Sequence, residues 1–112
     1  HVRVDAEDNK LVVLAKATRA RTGVDEAAAI RDLDGRTYAA AAVSLPSLQL
    51  SAIGAAISMA ISSGAKGLEA VLLNADSPVT EADLMVVVEF AGRGVPVRRV
   101  GSDGVLVEDK LS

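Results

Sequence analysis

Cysteine and tryptophan are absent from this chain, and its single histidine is the first residue. Without cysteine there is no disulfide framework, no thiolate nucleophile and no cysteine-based zinc site. Aromatic residues are reduced to Tyr38 and Phe90, too few for the stacking platforms that hold single-stranded nucleic acid. The net charge is −3 and the one adjacent basic pair is Arg98-Arg99. Phosphate-backbone binding is therefore not expected as the main activity, and no nucleic-acid partner is expected. Charge of either sign is missing from Thr37 to Ala65. That stretch does not read as a membrane span, because Pro46 interrupts it and Ala, Ser and Gly dominate it. A central strand followed by a helix buried on most sides is the expectation. The first residues carry no secretory-leader pattern, so the default location is cytoplasmic.

What is present is an aliphatic chain. Half of its 112 residues are hydrophobic, mostly Ala, Val, Leu and Ile. That composition suits an α/β fold, and the length suits one domain over residues 1–112.

The apolar spacing predicts a first helix from about Glu7 to Arg21, with Leu11, Leu14, Ala15 and Thr18 on one face. Asp5, Glu7 and Asp8 suit the positive end of its dipole and Lys16, Arg19 and Arg21 the negative end, with Gly23 as the stop. Strands at Ala27–Arg31 and Thr37–Val43 flank Asp34-Gly35, a tight-turn signal. The second of these strands is so rich in alanine that something must pack closely on it. Leu48–Ser63 is predicted as a second helix ended by Gly64. Its apolar circumference implies burial on more than one side. Leu68–Leu73, Thr80–Ala91 and Val95–Val100 follow as strand, helix and strand. Asp103-Gly104 turns the chain into a last strand, Val105–Glu108. Helices between strands imply right-handed crossovers. The fold class is thus α/β: three layers, α/β/α, around a mixed five-stranded sheet.

This order of elements resembles the cytidine deaminase family, and residues along nearly the whole chain agree with it. Asp34-Gly35-Arg36-Thr37-Tyr38 resembles the family's hairpin turn. Ala52, Ala56 and Ile57 resemble the alanine-rich segment around its first metal motif. Glu89-Phe90, Pro96-Val97 and Asp103-Gly104 resemble the stretch after its second metal motif, and Glu108 with Leu111-Ser112 the start of its C-terminal segment. In the resembled family a zinc ion activates a water, and a Glu that is not a ligand shuttles protons to the base. The resemblance puts the first ligand position on Ser51, the catalytic Glu on Ile53 and the later ligands on Thr80 and Asp83, with Val79 for the family's Pro. The substrate-binding Asn-x-Glu falls on Ala42 and Ser44. The resemblance therefore implies a degenerate pocket of Ala42, Ser44, Ser51, Ile53, Thr80 and Asp83, with no catalytic residue, no metal and no cofactor.

Other readings of these residues are structural. Thr80-Glu81-Ala82-Asp83 has the spacing of a capping box, in which the hydroxyl would take a free amide at the helix start and the carboxylate would sit at the positive end of the dipole. Asp76, Glu81 and Asp83 form an acidic group of the kind common at helix starts. Ser51 has no interior histidine to act as its base. Arg98-Arg99 reads as one solvated and one packed side chain.

Three function classes are open to such a chain. The first is a non-catalytic homologue that assembles as a dimer or tetramer, or binds a protein partner, through the second helix. Gly54, Ala55 and Ser58 with Ala52 would give the close contact, and a charge at Ala55 would probe it. The second is a nucleoside- or nucleotide-binding regulator, and the third a deaminase with a rearranged site.

Overall fold

The computed structural model describes residues 6–112, so Asp5, assigned above to the first helix dipole, lies outside the described residues. The elements are α1 (Ala6–Thr22), β1 (Glu26–Asp32), β2 (Thr37–Ala41), β3 (Val43–Leu45), β4 (Leu48–Leu50), α2 (Ala52–Ser62), β5 (Leu68–Ala75), α3 (Glu81–Ala91), β6 (Pro96–Val100) and β7 (Leu106–Leu111). Five strands form one sheet in the order β2-β1-β5-β6-β7, and β3 pairs with β4 in a small separate hairpin. Only β5 and β6 run parallel, joined by the crossover through α3. The chain leaving α2 instead returns antiparallel to β1, with Ile30 opposite Val71.

Strand alternation sends successive side chains to opposite sheet faces, and this builds two cores. On one face Leu11, Val12 and Ala15 of α1 pack on Ala29, Ala70, Leu72 and Val100. On the other, Ile53, Ala56, Ile57 and Ala60 of α2, with Val87 of α3, pack on Ala28, Ile30, Val71, Leu73 and Val97. The alanines of β1 and β2 let the helices approach the sheet closely, and both α1 and α2 contact β2. Each fully buried Ile, Leu or Val contributes roughly 1.5–3 kcal/mol. The layers are thus α1 above the sheet and α2 with α3 below it.

Three expectations change. The second helix begins at Ala52, not Leu48, because Leu48–Leu50 pair with Val43–Leu45 around Pro46-Ser47. Pro46 and Ser47 make the turn, and a proline is far better placed there than in a helix interior. Second, α2 is not apolar surface all round. Ala52 and Ala55 are buried within this chain, while Ser58, Met59 and Ile61 are exposed. The proposed contact residues therefore fall largely inside the fold. Third, the last strand spans Leu106–Leu111 rather than ending at Glu108.

Charged side chains tie the layers. Asp8, read above as a dipole residue, is buried and accepts from Arg31 at 3.0 Å and from Arg98. Arg98 also meets Asp109 at 3.1 Å, and Arg99 meets Glu108. The pair Arg98-Arg99 is therefore half-buried and ion-paired at both positions, not one solvated and one packed. No helix among the described residues is long and apolar enough to cross a membrane.

Candidate functional site

The N-termini of α2 and α3 meet beside the carboxyl end of β5, and the residues that finish them form one hydrogen-bonded group. Ser51 caps α2: its Oγ accepts from the amide of Gly54 at 3.0 Å. Thr80 caps α3 in the same way, accepting from the amide of Asp83 at 3.1 Å. The Asp83 side chain is buried, and it accepts from the hydroxyl of Ser51 at 2.6 Å. The capping box is thus half formed. The hydroxyl of Thr80 does its part, while the carboxylate of Asp83 reaches across to the neighbouring helix.

Glu26, which the sequence reading passed over, completes the group. Its Oε1 accepts from the amide of Ala52 at 3.0 Å, so a carboxylate sits on the first turn of α2. No local signal marks it, because Glu26 follows Asp25 as one more charge before an alanine run. Two helix N-termini bring two positive dipole ends to one place, and negative charge there is stabilising. Glu26 and Asp83 supply it. Ile53 is the second residue of α2, at 0% exposure, and belongs to the core below the sheet.

The loop from Ala75 to Thr80 that leads into α3 is held from the far strand. Glu108 accepts from the amide of Val79 at 3.0 Å and from Arg99, and Arg99 donates to the carbonyls of Ala75 and Asp76 at 3.1 and 3.3 Å. Burial would push the Glu108 carboxyl up. Its hydrogen bonds from Arg99, the Val79 amide and Lys110 outweigh that and hold it below the usual carboxylate range. Of the acidic group Asp76, Glu81 and Asp83, only Asp83 is buried. Among the described residues no three His, Cys, Asp or Glu come close enough to hold a metal.

Ala42 and Ser44 lie beside this group, next to Glu26. Ala42 is the residue between β2 and β3, its amide donating to the carbonyl of Glu26 at 3.2 Å, and Ser44 is exposed on β3. Together with Asp25, Glu26 and Ser77 they line an open cleft of about 630 Å³.

A family model described as cytidine deaminase-like matches residues 4–104. The chain belongs to the cytidine deaminase-like family. Solved structures agree in fold. Cytidine deaminase from Mycobacterium leprae is 21% identical with a TM-score of 0.72, covering 94% of each chain. The enzyme from Burkholderia pseudomallei is 19% identical with a TM-score of 0.78, covering 93% of this chain and 90% of its own. That from Mycobacterium tuberculosis is 23% identical with a TM-score of 0.71, over 83% and 85%. No curated protein sequence matches the chain. The family resemblance implies a zinc ion between the starts of α2 and α3. Zinc takes nitrogen and sulfur donors first, with carboxylate as a lesser ligand. Ser51, Thr80 and Asp83 offer two hydroxyls and one carboxylate, and the hydroxyl of Ser51 is already committed to Asp83 at 2.6 Å. This donor set does not fit zinc.

Proposed function

We propose that this member of the cytidine deaminase-like family is non-catalytic and works as an assembly or partner-binding module. The observation that carries the reading is the Ser51–Asp83 hydrogen bond at 2.6 Å, which ties the two helix starts to each other. Deamination needs an activated water and a group that moves protons. Ile53 can do neither. The Ser51 hydroxyl and the Asp83 carboxylate are turned toward each other.

An assembly role draws support from the outer surface of the α2 layer. Met59 and Ile61 on α2 are 45% and 54% exposed, and Leu45, Leu48 and Met85 are exposed on the neighbouring β3–β4 hairpin and on α3. Exposed apolar patches of this kind mark interaction surfaces. The expected partner is a second copy of the chain, as a dimer or tetramer, or another protein.

The test is direct. Purified protein is expected to hold no stoichiometric zinc by elemental analysis and to leave cytidine and deoxycytidine unchanged in an absorbance assay. One equivalent of zinc retained against a mild chelator, or turnover of either nucleoside, would overturn the reading. The cleft lined by Ala42, Ser44, Ser77 and Glu26 favours a second reading, a regulator that binds a nucleoside or nucleotide without changing it. Calorimetric titration with cytidine separates the two, since saturable heat without turnover supports the regulator alone.

A further inference from the structure

Above the sheet, a cleft of about 500 Å³ opens between the C-terminal half of α1 and the turn joining β6 to β7. Lys16, Arg19, Asn74, Ser102 and Asp25 line it. It lies just past the carboxyl ends of β5 and β6, the one parallel pair in the sheet. That is the position at which open α/β sheets bind ligands. The residues of the helix-start group, Ser51, Thr80 and Asp83, take no part in lining it.

Four observations point to a ligand of one kind. Arg19 carries a buried guanidinium nitrogen, Nη1, with no hydrogen-bond partner. Its other terminal nitrogen has only a 3.5 Å approach to Asp76, whose side chain is 70% exposed, a weak pair. Buried donors are normally satisfied, and this one has no acceptor among the described residues. Arg31 has a similar nitrogen but is held by the carboxylates of Asp8 and Glu69 through its others, both at 3.0 Å. Second, Lys16 has no ion pair among the described residues. Its side chain runs from the cleft wall towards Gly104, where an added Cβ would come within 3.2 Å of Nζ. Third, Ser102 presents an unpartnered hydroxyl from the turn. Fourth, Asn74 is buried in β5 and donates to the carbonyls of Val100 and Gly101 at 3.3 and 2.8 Å, which fixes the start of that turn. Two cations and a hydroxyl around one cleft suit an oxyanion, and arginine suits phosphate above all. Asp25 on the same cleft accepts rather than donates. It fits a hydroxyl or amine at the far end of the ligand, which favours a monoester over free phosphate.

We propose that this cleft binds a small phosphate monoester, its phosphate held by Arg19, Lys16 and Ser102 and its hydroxyl end by Asp25. The test titrates the whole protein with glycerol phosphate and, separately, with inorganic phosphate. It follows backbone amide shifts by NMR at constant ionic strength, with chloride as the control. Saturable shifts are expected at the Gly101, Ser102 and Gly23 amides, with glycerol phosphate tighter than inorganic phosphate. Arg19→Gln and Lys16→Gln should each weaken binding about tenfold, the loss of one charge-assisted contact. Lys16 is exposed, so Lys16→Gln keeps the fold even where Arg19→Gln does not. Shifts no larger than those from chloride, shifts that map elsewhere, or unchanged affinity in Lys16→Gln would overturn the proposal.

Discussion

At the residue scale, the chemistry of this protein turns on three short side chains that finish helices. Thr80 holds the amide of Asp83, and Ser51 holds both the amide of Gly54 and the carboxylate of Asp83. Thr80→Ala should cost roughly 1 kcal/mol in chemical denaturation and Thr80→Ser almost nothing, because only the hydroxyl is needed. Equal losses for the two substitutions would show that Thr80 is not acting as a cap. The Ser51–Asp83 bond is charge-assisted and largely shielded, so the two residues should couple. A double-mutant cycle of Ser51→Ala and Asp83→Asn is expected to return about 0.5–3 kcal/mol, the range for side chains in direct contact. A value indistinguishable from zero would mean that the Ser51–Asp83 bond adds nothing to stability. A hydroxyl that can bind a cation can equally accept a backbone amide, and the hydroxyls of Ser51 and Thr80 do so here.

At the element scale, α2 explains both the stability of the fold and its proposed use. Its inner side is among the most buried parts of the chain, with Ala52, Ile53, Ala56 and Ala60 at 0% exposure. Ala55 is 7% exposed, so a charge there would disrupt the core rather than a contact between copies. Met59 and Ile61 are the informative positions, being 45% and 54% exposed. Ile61→Glu and Met59→Glu should leave the circular dichroism spectrum unchanged and shift the mass by light scattering to that of the monomer. The unmodified protein should scatter as a dimer or tetramer at tens of micromolar. A monomer there would remove the assembly role, and an oligomer untouched by both substitutions would move the contact to another surface. The neighbouring β3–β4 hairpin carries Leu45 and Leu48 outward at paired positions and so enlarges the same side of the molecule.

At the scale of the whole molecule, buried carboxylates set the response to pH. Asp32 closes the β1–β2 turn, accepting from the amides of Asp34 and Arg36 at 2.9 and 3.0 Å and from the Tyr38 hydroxyl at 2.7 Å. Gly35 completes that turn at φ +83°, a conformation an L side chain resists. Burial would push the Asp32 carboxyl up, but the hydrogen bonds from Tyr38, Arg36 and Asp34 outweigh it and hold it below its ordinary 3.8. Its folded pKa is therefore lower than its unfolded one. The stabilisation is complete above the ordinary carboxylate value and is lost as pH falls through the lowered one. Glu108 acts in the same direction, from an ordinary 4.5. Tyr38 has the opposite sign. Its hydrogen bond to Asp32, and then burial, raise it above 10.0, so its stabilisation holds below that pH and fades as pH rises through the raised value. Tyr38→Phe should flatten the alkaline limb of a plot of denaturation midpoint against pH and weaken the acid limb, leaving the parts due to Glu108 and to the amides on Asp32. An unchanged alkaline limb would show that the Tyr38–Asp32 bond contributes nothing to stability.

Much of this molecule follows from local pattern. The i, i+3, i+4, i+7 spacing of Leu11, Leu14, Ala15 and Thr18 places α1, Asp34-Gly35 places the hairpin, and the spacing of Thr80 and Asp83 places the cap of α3. These depend on neighbours in the chain, and a sequence displays such neighbours. The α/β layering and the mixed sheet follow as well, since helices between short aliphatic strands have few other ways to bury both. What depends on distant residues is decided only by the tertiary structure. Nothing near Leu48 tells that it pairs with Leu45 instead of extending α2. Nothing near Glu26 tells that it caps a helix 26 residues further on. The antiparallel entry of β5 beside β1, the burial of Asp8 between two arginines and the partner of Asp83 are likewise settled by which surfaces meet. Alanine is the common reason. It packs in strand, helix or contact with equal ease, so an alanine-rich chain shows clearly where it is apolar and leaves to packing what each apolar surface will face.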